Sequence, residues 1–338
     1  MTMVDGPPPG LAPGIDAFVR RMYTRTGVER IPAHLEERYG VRVTGTSELD
    51  LGVFRVHLAD GRSWVARLFP SSRPIERVTG DAEILGRLAA LDFSSERCAT
   101  PDPVSRLDGQ GLIVTEFVAG APGDRRREAI RRLGGYIRLG ALLGRLHTMP
   151  AEGAFARPGG CWHHLGDGRP DDEIDAAQTI LADAAGLVPA GQRGLYDEVA
   201  GELAGLDRCH GLPEGLTHPD PVMVNAVATP DRLVLVDWTG AGWGPRIWSL
   251  AFLLYAAAAG EPRRVDSVAA GYTRHVRPEP EELDRLAGVI RARPVIFAVW
   301  AFCVGRRGLP ETAREVAEAR RIADAIAERA AGAFRGAA

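Results

Sequence analysis

The chain reads LTHPDPVMVN at residues 216–225 and LVLVDW at residues 233–238, and these two stretches decide its fold. Asp220 and Asn225 lie in the first stretch, and Asp237 ends an apolar run that is typical of a buried strand. Two carboxylates and a carboxamide in this order are the groups with which phosphoryl-transfer sites place a base and hold a divalent metal. The sequence therefore predicts a phosphoryl-transfer centre.

Prolines on both sides of Asp220 restrict the loop that carries it. A residue before proline is pushed out of the helical region, so Pro219 and Pro221 predict a stiff, extended loop. Stiffness suits a reaction that depends on positioning. An ordinary turn could contain the same residues, but an aspartate after a strand at this spacing favours the catalytic interpretation. We expect His218 to brace the loop by hydrogen bonding and not to act as a base.

Composition limits the class of protein. The 338 residues are 45% hydrophobic and 25% charged with a net charge of −3, which predicts a globular protein and argues against nucleic acid or membrane as partner. Four widely spaced cysteines predict reduced thiols, a cytoplasmic location and no structural metal. The N-terminus lacks the pattern of a secretory signal, and the apolar stretch 247–260 predicts a buried helix. All 41 basic residues are arginine.

The order of predicted elements indicates an α+β protein. Helical periodicity over 15–39 precedes segments at 41–44, 54–58 and 64–69 in which β-formers alternate or cluster. Residues 59–62 predict a hairpin turn between the last two of these segments. A helix at 81–91 and strands at 103–107 and 112–118 follow. Helical patterns dominate from residue 120 onward. We therefore predict two lobes. Residues 1–118 form an N-terminal lobe with an antiparallel sheet, and residues 119–338 form a larger, mainly helical C-terminal lobe.

The motif and this order of elements resemble the aminoglycoside phosphotransferase family, whose members are small-molecule kinases with a protein-kinase-like fold. The resemblance extends from about Val41 to the C-terminal helices. It implies that Asp220 is the catalytic base or the carboxylate that orients the acceptor hydroxyl, and that Asn225 and Asp237 bind Mg²⁺ on the nucleotide phosphates. It further implies transfer of the γ-phosphate of ATP or GTP to a hydroxyl group.

The same resemblance assigns the nucleotide site in the first lobe. Arg67 takes the place of a strand lysine that grips phosphates, and Glu83 takes the place of its helical partner. Arginine keeps the charge but is bulkier than lysine, and a surface pair is the alternative interpretation. Ser47 belongs to a segment, 47–52, expected to cover the phosphates. The backbones of Glu116 and Val118 are expected to pair with adenine.

A second departure from the family pattern follows the metal-binding aspartate. Where the family commonly has an aspartate that braces the catalytic loop, this chain has Ser249, which can form a hydrogen bond but carries no charge. Arg246 is a candidate for a replacement brace, to Asp220 or to another acid of the loop.

The acceptor is less well specified. Residues 149–206 are expected to form its pocket, in which the acids of 171–175 either attract a cationic substrate or, as we favour, form the first turn of a solvated helix. An antibiotic, a metabolite, a natural-product intermediate and a peptide all fit as acceptors.

The alternatives to an independent kinase are a pseudokinase or nucleotide-binding scaffold, and a subunit active only with a partner protein. A monomer and a homodimer both fit. The presence of Asp220, Asn225 and Asp237 together favours an enzyme.

Overall fold

The N-terminal half is built on one antiparallel sheet. The structure is a computed structural model that describes residues 13–121, 125–163, 165–166, 168–259 and 261–336. Five strands form the sheet in the order β1-β2-β3-β5-β4. They are β1 Val43–Asp50, β2 Val53–Leu58, β3 Ser63–Leu68, β4 Val104–Leu107 and β5 Gln110–Glu116. The hairpin expected between the second and third strands is confirmed, with Gly61 at a φ of 86° in its turn.

Strand β3 shows why the sheet positions a functional residue. Its side chains alternate, and Trp64, Ala66 and Leu68 are buried in a core shared with helix α2 (Ile31–Tyr39). Because neighbours on a strand point to opposite faces, Arg67 projects from the other face of the sheet, toward the second half of the chain.

The helices of the first half differ from the prediction in two places. The helical pattern at 15–39 is two helices, α1 Pro13–Tyr23 and α2, separated by Gly27 at a φ of 71°. Helix α3 spans Ile75–Ala90 and so begins six residues before the predicted start, directly after Pro74. Helix α1 was assigned to the first lobe, but its buried residues join the core that contains helix α6 (Pro170–Ala184) of the second.

The rest of the chain is mainly helical, as predicted. The helices are α4 Arg126–Arg132, α5 Gly135–His147, α6, α7 Arg193–Ala204, α8 Arg246–Ala258, α9 Arg263–Tyr272, α10 Pro280–Cys303 and α11 Leu309–Gly336. Short strands β6 Glu214–Thr217 and β9 Gly242–Pro245 pair antiparallel, as do β7 Ala226–Ala228 and β8 Leu233–Leu235. The α+β class with an N-terminal antiparallel sheet is confirmed.

Helix α10 is the central helix of the second half. It is long and apolar enough to cross a bilayer, but 67% of its most apolar window is buried within the protein, as expected of a core helix. Buried Arg293 of this helix pairs with buried Glu173 of α6 at 2.5 Å. The apolar stretch that begins at Ile247 is likewise the buried helix α8, as predicted.

Buried His147 predicts how stability depends on pH. Its Nδ1 lies 2.7 Å from the Tyr272 hydroxyl, and its pKa is lowered to about 3, first by burial and then by Arg246. Since an unfolded histidine titrates near pH 6.5, the unfolded chain binds the extra proton between these values, and stability falls as pH decreases. From pH 7 to pH 5 this group is expected to lower the free energy of unfolding by about 2 kcal/mol.

Urea unfolding of the wild type and of His147→Gln at both pH values measures the effect. The variant is expected to be less stable at pH 7 but to lose less stability on acidification. An equal pH dependence in the two proteins would contradict the assignment. Buried His218, whose pKa is lowered to about 4, is present in both and cancels in the comparison.

Candidate active site

The residues 218–225, here called the catalytic loop, follow strand β6 and are braced by His218. The Asp220 N–H donates to Nδ1 of this buried imidazole at 3.1 Å, and its Nε2 lies 3.2 Å from the Val236 carbonyl. These two bonds require a neutral ring protonated on Nε2. The ring also packs edge-on against Trp238, with centroids 4.6 Å apart. His218 therefore ties the catalytic loop to the end of β8, which agrees with the structural role predicted for it.

Asp220 and Asn225 are held together within this loop. The Asn225 amide nitrogen donates to the Asp220 backbone carbonyl at 3.0 Å and to its Oδ2 at 2.9 Å. The other carboxylate oxygen of Asp220, Oδ1, is buried and has no hydrogen-bond partner among the described residues. Because a buried acceptor without a partner is costly, this atom is available to a donor that the described part of the chain does not supply.

The charge of Asp220 is controlled by its surroundings. Burial raises its pKa to about 6, and the repulsion of Asp237 acts in the same direction. The Arg293 guanidinium acts in the opposite direction and favours the ionised carboxylate. No motif in the sequence pointed to Arg293, which lies in the middle of α10, far along the chain.

Asp237 stands in a strained backbone conformation after β8. Its φ is 66°, a left-handed value that few residues other than glycine adopt. Its N–H donates to Glu96 Oε1 at 2.7 Å, and its Oδ1 accepts a hydrogen bond from the Arg67 guanidinium. Arg67 also donates to the Thr239 hydroxyl at 2.9 Å. Burial disfavours the charge of Arg67, but Asp237 and Glu96 raise its pKa above the ordinary value.

The predicted pairing of Arg67 with Glu83 is wrong. Glu83 is exposed and lies on the outer face of α3, in a separate cavity that includes Thr79 and Ser105. The acid that α3 turns inward is Asp81, which pairs with Arg73 at 2.9 Å and Arg157 at 2.7 Å. The phase of the helix explains the error, because residues two apart point about 200° away from each other.

Asn225, Asp237 and Arg67 line one cleft between the halves of the molecule, with a volume of about 570 Å³. Residues 117–121, here called the hinge segment, supply Phe117, Val118, Gly120 and Ala121 to its wall. Val118 therefore lies in the wall of the cleft, and the pairing of its backbone with adenine stays a prediction. The N–H of Glu116 donates to the Arg97 carbonyl at 2.8 Å, so this N–H is already engaged.

The turn over the cleft is shorter than the sequence suggested. Ser47 is an exposed residue within β1, opposite Arg55 of β2, and it does not line the cleft. The strand continues to Asp50, so only residues 49–53 reach the cavity. Gly52 adopts a φ of 70°, and its carbonyl accepts the Leu68 N–H at 2.8 Å. The residues 50–52 form the covering turn in place of Ser47.

A family comparison agrees with this geometry. The model of the phosphotransferase enzyme family matches residues 46–288, which include the whole cleft apart from helix α1 and its connection. The chain belongs to this phosphotransferase family. No curated protein matches the chain by sequence.

Solved structures share the fold of this phosphotransferase at low sequence identity. The amicoumacin kinase hAmiN, in complex with AMP-PNP, Ca²⁺ and Ami, is 15% identical with a TM-score of 0.57, covering 90% of this chain and 91% of its own. A choline/ethanolamine kinase family protein from Mesorhizobium loti is 21% identical with a TM-score of 0.57, and the match covers 91% of this chain and 98% of that protein. An aminoglycoside phosphotransferase from Alicyclobacillus acidocaldarius is 16% identical with a TM-score of 0.54, and the match covers 93% of this chain and 98% of that protein. These structures show that the chain shares their fold.

Ser249 contacts the catalytic loop of this phosphotransferase through a hydrogen bond. Its buried hydroxyl donates to the His218 carbonyl at 2.8 Å, so the hydrogen bond that the sequence allows for it is present. The suggestion for Arg246 is wrong, because this residue binds Glu282 in the first turn of α10 at 2.9 and 2.6 Å. The catalytic loop of this phosphotransferase is thus braced without an ion pair to Arg246.

The acids at 171–175 belong to the first turns of α6, as predicted, but this helix is not solvated on the face that carries Glu173. Glu173 is buried against Arg293, and Asp175 binds Arg208 at 2.6 Å. Within 149–206, His163 lines the cleft of this phosphotransferase. His164 lies outside the described residues. The acids are largely engaged within the protein, which weakens their interpretation as a site for a cationic acceptor.

Proposed function

We propose that this protein transfers the γ-phosphoryl group of ATP or GTP, with Mg²⁺, to a hydroxyl group of a small molecule. One observation carries the proposal. The unpartnered Oδ1 of Asp220 belongs to a loop whose Asn225, together with Asp237, lines the cleft. A pseudokinase would not require this arrangement, so we favour the enzyme.

The nucleotide is proposed to lie with its base at the hinge segment. There Val118 would offer its backbone and Glu116 its carbonyl, since the N–H of Glu116 is engaged. The phosphates would then extend under the covering turn toward Arg67, whose planar guanidinium suits phosphate oxygens. The amicoumacin kinase structure contains AMP-PNP, which supports a nucleotide in this cleft.

The residues present fit a magnesium ion. The Asn225 nitrogen is turned to Asp220, which identifies the remaining side-chain atom as a carbonyl oxygen, and Asp237 supplies a carboxylate. Mg²⁺ prefers such hard oxygen ligands and takes only one or two from protein in nucleotide sites. Asn225 and Asp237 would hold the ion, which would neutralise charge on the phosphates.

Asp220 is proposed to act on the acceptor hydroxyl. Its Oδ1 accepts the hydroxyl proton, the hydroxyl oxygen forms a bond to the γ-phosphorus, and the bond from that phosphorus to the nucleoside diphosphate breaks. The Arg293 guanidinium favours the ionised form of this carboxylate and opposes burial, which raises its pKa to about 6. The bonds from His218 and Asn225 orient Asp220, so little rearrangement is needed.

Replacing Arg67 tests the nucleotide assignment. Arg67→Met is expected to weaken ATP or GTP binding about tenfold to hundredfold, because a charge-assisted hydrogen bond contributes about 1.5–3 kcal/mol. Glu83→Gln is the matched control on the neighbouring helix and is expected to change the affinity less than about twofold, since it removes no such bond. Isothermal titration with Mg²⁺ measures both.

Absence of any Mg²⁺-dependent nucleotide binding by the wild type would overturn the proposed function. Equal losses in Arg67→Met and Glu83→Gln would instead show that the assignment of Arg67 to the phosphates is wrong. The cytoplasmic location, the choice between monomer and homodimer, and the need for a partner protein stay predictions, as does the division between residues 118 and 119.

A further inference from the structure

A second cavity, of about 310 Å³, adjoins the cleft at the end away from the hinge segment. We call it the outer cavity, and it shares Arg25, Phe69 and His163 with the cleft. Trp64, at the start of β3, pairs with Glu116 beside the hinge segment, whereas Phe69 follows the other end of β3. Five residues at about 3.3 Å each separate these ends by about 17 Å. The outer cavity therefore lies at the phosphate end of the proposed nucleotide.

Arg25 projects from the connection after α1 and is held in place by backbone carbonyls. Its Nε donates to the Leu68 carbonyl at 2.8 Å, and its Nη1 donates to the Met22 carbonyl at 2.9 Å. Among the described residues no carboxylate pairs with it. Burial and the nearby charge of Arg67 lower the pKa of Arg25 to about 10. The guanidinium groups of Arg67 and Arg25 are thus close together, and among the described residues only Arg67 has a carboxylate partner. The positive charge of Arg25 therefore favours the binding of an anion.

Arg21, one turn earlier on α1, adds another positive charge. It is exposed at the cavity, and no ion pair engages it among the described residues. Arg73 also lines the outer cavity, although its charge is shared with Asp81. The described residues of this wall include no Asp or Glu. Since the chain has 44 acidic and 41 basic residues, the three arginines on the described part of this wall are a local departure from its overall balance.

We propose that the acceptor is a hydroxyl compound with an anionic group, a carboxylate or a phosphate, which Arg21 and Arg25 bind in the outer cavity. This inference rests on the proposed phosphotransferase function and specifies its substrate class. The anion would hold the acceptor beside the γ-phosphoryl group, with its hydroxyl turned to Asp220. A cationic acceptor would meet like charges at this wall.

Inorganic phosphate is a suitable probe of the anion site. We would titrate it by calorimetry, at constant ionic strength, into full-length protein saturated with Mg²⁺ and AMP-PNP, so that the nucleotide's own phosphate positions are filled. The wild type is expected to show one saturable site. Arg21→Gln and Arg25→Gln are each expected to weaken phosphate binding about tenfold or more. Arg106→Gln, an exposed arginine of β4, is the matched control and is expected to bind as the wild type does.

Several outcomes would overturn the proposal. They are the absence of saturable phosphate binding, wild-type phosphate affinity in both cavity variants, and a loss of AMP-PNP affinity in Arg25→Gln with phosphate binding unchanged. The last result would assign Arg25 to the nucleotide. Because Arg21 is exposed and does not line the main cleft, its variant keeps the test valid if Arg25→Gln fails to fold.

A matched set of three-carbon alcohols tests the substrate class. D-glycerate, glycerol and 2-amino-1,3-propanediol carry a negative, zero and positive charge. Only D-glycerate is expected to displace phosphate, and displacement by the amine would contradict an anionic acceptor. If the protein binds no nucleotide, the proposed function fails on its own. The same titration of the free protein and of Arg21→Gln still decides whether the anion site exists.

Discussion

Asp220→Asn is expected to lower kcat by about 10²–10⁴-fold while nucleotide binding stays near the wild-type level. The carboxamide has nearly the same shape and could still contact Asn225, but it cannot accept the proton of the acceptor hydroxyl. The buried and unpartnered Oδ1 makes the prediction specific, because this is the atom that the substitution alters chemically. A residue that only shaped the loop would tolerate such a change.

Release of the nucleoside diphosphate measures the reaction, with water as the acceptor at first and with an anionic alcohol once one is found. Asp231→Asn is a matched control, since Asp231 is an exposed aspartate in the turn between β7 and β8. The control is expected to react at the wild-type rate. An Asp220→Asn variant that kept full activity would remove Asp220 from the reaction.

Asp237→Ala is expected to abolish the Mg²⁺-dependent gain in nucleotide affinity, with a loss of about hundredfold or more. Two effects combine. The substitution removes the carboxylate proposed to hold the ion, and it leaves the Arg67 guanidinium without the acid that it contacts in this structure. The backbone bond from residue 237 to Glu96 does not depend on the side chain, so the loop is expected to persist.

Thermal unfolding with AMP-PNP, in Mg²⁺ and in EDTA, measures the effect. The wild type is expected to unfold at a higher temperature with Mg²⁺ than with EDTA, whereas the variant is expected to show no difference. A magnesium-dependent shift that survived in Asp237→Ala would locate the ion elsewhere. A melting transition retained in EDTA would confirm that the variant is folded.

The features predicted from sequence share a local cause. Alternation in β3, the turn at Gly61 and the apolar run before Asp237 are set by neighbouring residues, and the structure has each of them. The bracing role predicted for His218 and the hydrogen bond allowed for Ser249 also involve groups close to these residues, and the structure has both.

The errors concern contacts that local patterns do not determine. Which acid of α3 faces inward depends on the rotation of the helix, so Asp81 is buried and Glu83 is not. Glu96 binds the Asp237 backbone from a connection without any motif. Arg25 reaches the cleft only because α1 packs on the distant helix α6. The positions of Asp81, Glu96 and Arg25 all depend on packing between segments that are distant in the sequence.

The position of helix α1 has a mechanical consequence. The chain passes between the two halves at the hinge segment, after Glu116, and also between α1 and α2, where Gln110 binds both the carbonyl and the hydroxyl of Thr26. These crossings lie at opposite ends of β5, about 20 Å apart. The chain therefore connects the two halves at both ends of β5, and a movement of one half against the other involves both crossings.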